Sequence, residues 1–105
     1  MERRFPVVLD PQEPKVFFAR FPDLEECFTE GETEEEALFN AAEVLTAMLE
    51  WRMDNGQPLP EPSRSVSGAH FILLDARMQA AMDEYERMHA AVRDVQDGFA
   101  VSYSS

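Results

Sequence analysis

Two apolar runs at the start of the chain, "RFPVVLD" and "KVFFARF", separated by "PQEP", constrain the fold more than anything that follows them. Both alternate with a period of two, which is the repeat of a strand and not of a helix. In the first run Phe5, Val7 and Leu9 fall on one side and Val8 on the other, with apolar residues in both sets, so it reads as an inner strand covered on both faces. In the second, Phe17, Ala19 and Phe21 point one way and Val16, Phe18 and Arg20 the other. Prolines end the first run, so a hairpin is expected to join the two. "PDLEE" then forms a turn around Pro22 and Asp23, and "CFTEGE" is a short third strand that ends at Gly31.

A helix start follows directly. Thr33 with Glu36 three residues later is a capping box, in which the hydroxyl accepts from an exposed amide of the first turn and the glutamate reaches back. Ala37, Leu38, Ala41, Ala42, Leu45, Met48 and Leu49 recur at helical spacing and give one face to pack on the sheet. Asn55-Gly56 stops the helix, because both residues tolerate the left-handed conformation. "QPLPEPS" is an extended connector held open by its prolines. "AHFILLD", Ala69 to Asp75, is a fourth strand, and Asp75 caps a second helix. Its apolar residues Met78, Ala81, Tyr85, Met88, Val92 and Val95 fall at intervals of three and four, the seam spacing of a helix that pairs with another helix. "FAVSY" is either a fifth short strand or a frayed end.

The expected fold class is therefore α+β, a β-β-β-α-β core with a C-terminal amphipathic helix. Residues 1–75 are expected to form the domain. Residues 76–105 form a helix and tail whose seam suits homo-oligomerisation.

Charge narrows the function. The chain has 105 residues and a formal net charge of −12, with 21 acidic and 9 basic residues. A phosphate backbone repels such a surface, so direct DNA or RNA binding is not expected. The charge is also concentrated: residues 1–63 hold 15 acids and 5 bases, and eight carboxylates lie between Asp23 and Glu36 with no lysine or arginine among them. Glu34, Glu35 and Glu36 occupy a first helical turn, where the helix dipole favours them by about 0.3–1 kcal/mol each. That argument does not reach Glu25, Glu26, Glu30 and Glu32, which repel one another unless a basic partner relieves them. No apolar run of membrane-spanning length and no secretory signal is evident, so a cytoplasmic location is expected, and the single Cys27 agrees with a reducing compartment.

Enzymatic readings are weaker. Asp10, Glu43 and Asp75 are the carboxylates best placed by element position to hold divalent ions for phosphodiester cleavage, but each has an ordinary role as turn, surface or cap. Cys27 with His70 or His89 lacks an activating cation and an orienting third group. Trp51 near the end of the first helix suits packing or a subunit interface better than a ligand stack. No enzyme activity, metal or cofactor is expected.

From Arg4 to Ser63, "FPVVLDP", "VFFARFPDL", "CFTEGET", "EEAL.NA" and "NGQPLPEPS" resemble the N-terminal domain of HicB antitoxins. "AHFILLDARMQAA" is similar to the strand and helix start that follow in longer members. Glu25-Glu26 stands where the family pattern commonly has Pro-Gly, and "PQEP" where it has glycines, departures that alter the turns and add negative charge. The resemblance implies a partial ribonuclease H-like core without its catalytic set. It also implies a protein partner: HicA, a small basic ribonuclease toxin of type II toxin–antitoxin systems whose active surface HicB covers. Glu25, Glu26, Glu30 and Glu32 are the toxin-binding candidates in this chain. Longer relatives end in a helix-turn-helix or ribbon-helix-helix that binds their operator. Here "HFILL" lacks polar residues to read base edges and is followed by one expected helix where such a motif needs two, so no DNA-binding domain is expected. The alternative is an orphan HicB-like oligomer that acts as a binding or scaffold module without a toxin.

Overall fold

A computed structural model describes residues 2–12 and 15–89 of the chain. Strands β1 (Arg4–Gln12), β2 (Val16–Phe21) and β3 (Leu24–Gly31) precede helix α1 (Glu34–Asp54), and strand β4 (His70–Leu73) follows it. A second helix, α2, runs from residue 76 through 89. The α+β expectation holds, with four strands ordered β3-β2-β1-β4 and every neighbouring pair antiparallel. The position of "FAVSY" and of the expected seam residues Val92 and Val95 lies outside the described residues.

β1 does double duty in this sheet. Its first half, Arg4 to Val7, pairs with β4, and its second half, Val8 to Gln12, pairs with β2. The ladder is therefore stepped, and this is why two prolines fit inside the strand. Pro6 is paired in register only with Phe71 of β4, and Pro11 only with Phe17 of β2, so neither ring has to sit between two ladders. β1 also extends past Asp10 to Gln12, whereas β4 is shorter than the seven residues of "AHFILLD". Val7 is the last β1 residue that β4 reaches, so the extra apolar length of the sequence run finds no ladder.

One face of the sheet carries the core. Phe5 and Val7 from β1, Ala19 and Phe21 from β2, and Leu24 and Cys27 from β3 are buried against Ala37, Ala41, Leu45 and Leu49 of α1. The α1 residues step by four, so a single narrow stripe faces the sheet. Its small end lies over Gly31, where an added Cβ would stand 2.5 Å from the Ala37 nitrogen. Close approach at that end and Leu45 and Leu49 at the other set the tilt of the helix. Each of these leucines, fully buried, contributes on the order of 1.5–3 kcal/mol.

Leu74, Met78 and Met82 complete the same cluster, so α2 packs onto the same core as α1. The opposite face of the sheet is not fully covered, which corrects the reading of β1 as buried on both sides. Pro6 is buried but Val8 is only half-buried, and Phe18, Phe71 and Leu73 on that face remain exposed. Alternation alone does not reveal this, because apolar residues in both sets of a strand also suit a face left open for a partner.

Helix ends follow the sequence closely. Thr33 Oγ1 accepts from the Glu36 N–H at 3.0 Å, while the Glu36 carboxylate accepts from the N–H of Glu32 at 2.8 Å, one residue before the cap. Asn55 is the C-cap with φ of −107°, so of this pair it is Gly56 that adopts the left-handed conformation, with φ of 66°. Asp75 Oδ1 accepts from the Met78 N–H at 2.8 Å and caps α2 as expected.

Candidate partner-binding surface

β3 is an edge strand with only β2 beside it, and α1 folds back over it. The expected acidic residues follow that edge. Glu25 and Glu26 open the strand, Glu30 lies near its end, Glu32 sits in the bend before α1, and all four are exposed. From Glu25 to Glu32 the chain advances about 23 Å at 3.3 Å per residue, so they form a stripe and not a point cluster.

Their environments differ. The Arg52 guanidinium of α1 donates to Glu26 at 2.6 Å and, through its other terminal nitrogen, to the Pro58 carbonyl at 2.9 Å. The hydrogen bond from Arg52 holds the Glu26 carboxyl below the usual range. Among the described residues no lysine or arginine pairs with Glu25, Glu30 or Glu32. Three of the four charges are thus uncompensated, and the fourth ties the strand to the helix. Asn40 Nδ2 donates to the Glu30 carbonyl at 3.0 Å, a second tie between α1 and β3.

A feature not anticipated from the sequence lies alongside. Val44, Ala47, Met48 and Trp51 of α1, with Glu26 of β3, line a groove of about 550 Å³. These residues fall at i, i+3, i+4 and i+7, a second apolar stripe displaced from the core stripe of Ala37, Ala41, Leu45 and Leu49. That spacing was the available signal. Trp51 remains 55% exposed, an unusual position for the largest side chain in a small domain.

The expected oligomerisation residues separate. Met78 is buried in the chain's own core together with Met82, which lies one position beyond Ala81. Tyr85 is half-buried, donates its hydroxyl to the Gln57 carbonyl at 2.6 Å and stacks on His89. Ala81 and Met88 are exposed.

The carboxylates considered for metal chemistry occupy three different settings. Asp10 accepts from Arg20 at 3.1 Å, Glu43 is exposed on α1, and Asp75 caps α2. Cys27 is buried on β3, while His70 lies on β4 at the other edge of the sheet. Burial pushes the Cys27 thiol up to about 11, so the thiolate that nucleophilic chemistry needs is suppressed at neutral pH. No helix among the described residues is long and apolar enough to cross a membrane.

Comparison with known proteins agrees with this architecture. Residues 4–82 match the profile of a family described as HicB-like antitoxin of bacterial toxin-antitoxin system. Antitoxin HicB 1 of Photorhabdus laumondii is 39% identical over 59 residues, covering 56% of this chain and 38% of that protein. Antitoxin HicB of Escherichia coli K12 is 30% identical over 94 residues, covering 79% of this chain and 68% of that protein. The crystal structure of the N-terminal domain of Burkholderia pseudomallei antitoxin HicB superposes with a TM-score of 0.56 at 21% identity, over 70% of this chain and 98% of that one, and so shares its fold. With the profile spanning most of the described residues and a relative matched over two thirds of its length, the chain belongs to the HicB-like antitoxin family of bacterial toxin–antitoxin systems.

Proposed function

We propose that the chain is the antitoxin of a type II system and neutralises a HicA-like, mRNA-cleaving toxin by covering its basic active surface, without catalysis of its own. The observation that carries this reading is the glutamate stripe on an exposed edge strand, with Glu25, Glu30 and Glu32 uncompensated. A toxin that grips RNA must present cations to phosphate. Carboxylates spaced along β3 compete for those cations, and the long-range field of a −12 chain speeds the encounter.

Glu26 is held by Arg52, so a charge-reversal test should spare it. The variant Glu25→Lys, Glu30→Lys, Glu32→Lys is expected to lose inhibition of RNA cleavage by a HicA-like toxin while its thermal unfolding stays near that of the parent. Full inhibition by the triple variant would reduce the stripe to a solvated surface.

Self-association belongs to the same proposal, through residues 76–105. With Met78 holding α2 to its own core, the exposed Ala81 and Met88 are the described positions of the seam that face outward. Ala81→Glu with Met88→Glu is expected to lower the mass measured by light scattering. An unchanged mass would remove α2 from the interface.

A further inference from the structure

We propose that the α1–β3 groove is the anchor point of the basic partner, and that it receives one aromatic or long aliphatic side chain flanked by lysine or arginine. This inference rests on the antitoxin reading and adds to it the contact that supplies affinity. The walls of the groove, Val44, Ala47, Met48 and Trp51, are apolar. Its single ionisable lining residue, Glu26, is already matched by Arg52, so the floor does not call for a cation. Its surroundings do. Glu43 and Glu50, each within one helical turn of Ala47, are exposed on α1, and Glu25 adjoins Glu26 on β3. An apolar centre with a charged periphery is the partition by which protein interfaces gain affinity from a few buried anchors and selectivity from the rim.

Charge also decides between this surface and the other exposed apolar one. On the open sheet face Arg20 is matched with Asp10 at 3.1 Å and Arg4 with Glu2 at 3.2 Å, which leaves Glu30, opposite Phe18, as its unpaired glutamate among the described residues. Phe18, Phe28, Phe71 and Leu73 therefore share their face with one unpaired glutamate, a weaker attraction for a cationic partner than the three that border the groove. The groove is the apolar surface with more unpaired acid around it, from Glu25, Glu43 and Glu50. RNA is excluded from it by the same glutamates.

The test is surface plasmon resonance of the full chain against a catalytically silenced HicA-like toxin at two salt concentrations. Trp51→Ala removes one wall, and Ala47→Phe fills the groove from an exposed helix position. Both are expected to weaken binding about tenfold or more through faster dissociation, with the salt dependence unchanged. The triple reversal of Glu25, Glu30 and Glu32 should instead slow association and flatten the salt dependence. Phe71→Ala, on the far strand β4, should bind as the parent does. If the parent binds and both groove variants bind within about twofold of it, the groove is not the anchor. If the parent itself fails to bind, the antitoxin reading falls and takes this inference with it. Unfolding midpoints of the variants distinguish a lost contact from a lost fold.

Discussion

Gln79 hydrogen-bonds both backbone groups of Arg3, accepting from its N–H at 2.8 Å and donating to its carbonyl at 3.0 Å. A side-chain amide of α2 thus pairs with the residue before β1 as a neighbouring strand would, and joins parts of the chain 76 positions apart. The same nitrogen reaches the Leu74 carbonyl at 3.2 Å. Gln79→Ala removes both bonds to Arg3, each worth about 0.5–1.5 kcal/mol net. Urea unfolding should therefore show a loss of about 1–3 kcal/mol, and equal stability would mean that α2 docks without this pair.

Arg3 reinforces the contact through its side chain. Only 7% exposed, it donates to Asp83 at 2.6 Å and to Glu86, both on α2. Burial opposes the Arg3 charge, but the bond to Asp83 and the charge of Glu86 outweigh it and its pKa is raised. In return, the hydrogen bond from Arg3 holds the Asp83 carboxyl below the usual range. A depressed carboxylate contributes stability that is fully present above its ordinary pKa, about 3.9, and is lost as pH falls through the folded value. Arg3→Met should accordingly be less stable than the parent at neutral pH, and the gap should narrow below about pH 4. A gap independent of pH in denaturant titrations would assign the loss to packing.

Two glycines should respond differently to alanine. At Gly31 the new Cβ meets backbone, 2.5 Å from the Ala37 nitrogen and 2.8 Å from its Cα, which cannot swing aside. Overpacking of this kind costs about 1–3 kcal/mol, and here it pushes α1 off β3. At Gly56 the Cβ meets open space, and the cost, about 1–2 kcal/mol, comes from φ of 66° alone. Gly31→Ala should in addition weaken toxin binding, because it displaces α1 and with it the groove. Gly56→Ala should not.

Cys27 offers a probe of the fold. With the thiol buried and raised to about 11, an aromatic disulfide reagent at neutral pH should label it only as the protein opens. The labelling rate should rise with denaturant in step with unfolding. Rapid labelling of the native chain would place β3 and α1 further apart than described.

Much of this architecture was legible in the sequence because local rules and tertiary packing agree. Alternation located β1 and β2, Thr33 and Glu36 fixed the start of α1, and Asn55-Gly56 its end. β3 instead begins at Leu24, within the "PDLEE" run expected to be a turn, because pairing of Leu24 with Phe21 closes the hairpin on Pro22 and Asp23 alone. The remainder depends on partners that a one-dimensional pattern does not contain. The 3-4 spacing of Met78, Ala81, Tyr85 and Met88 describes a seam, but Met82, four residues after Met78, joins it in the buried cluster, because the spacing does not say which side of α2 meets the chain's own core. The stepped pairing of β1 appears only once β4 returns to its first half. Along the acidic stripe, sequence located the charges, yet it did not reveal that Arg52, 26 positions beyond Glu26, neutralises one of them. Nor did it single out the groove, since Val44, Ala47, Met48 and Trp51 read equally well as a broad core stripe.

Neutralisation of a HicA-like toxin by this chain is measured by an RNA-cleavage assay on the mixture, run beside co-purification at low and high salt. A complex is expected that silences cleavage at a stoichiometric ratio and loosens as salt screens the glutamates. Undiminished cleavage at saturating amounts of the folded chain, with no complex at either salt concentration, would contradict the antitoxin reading.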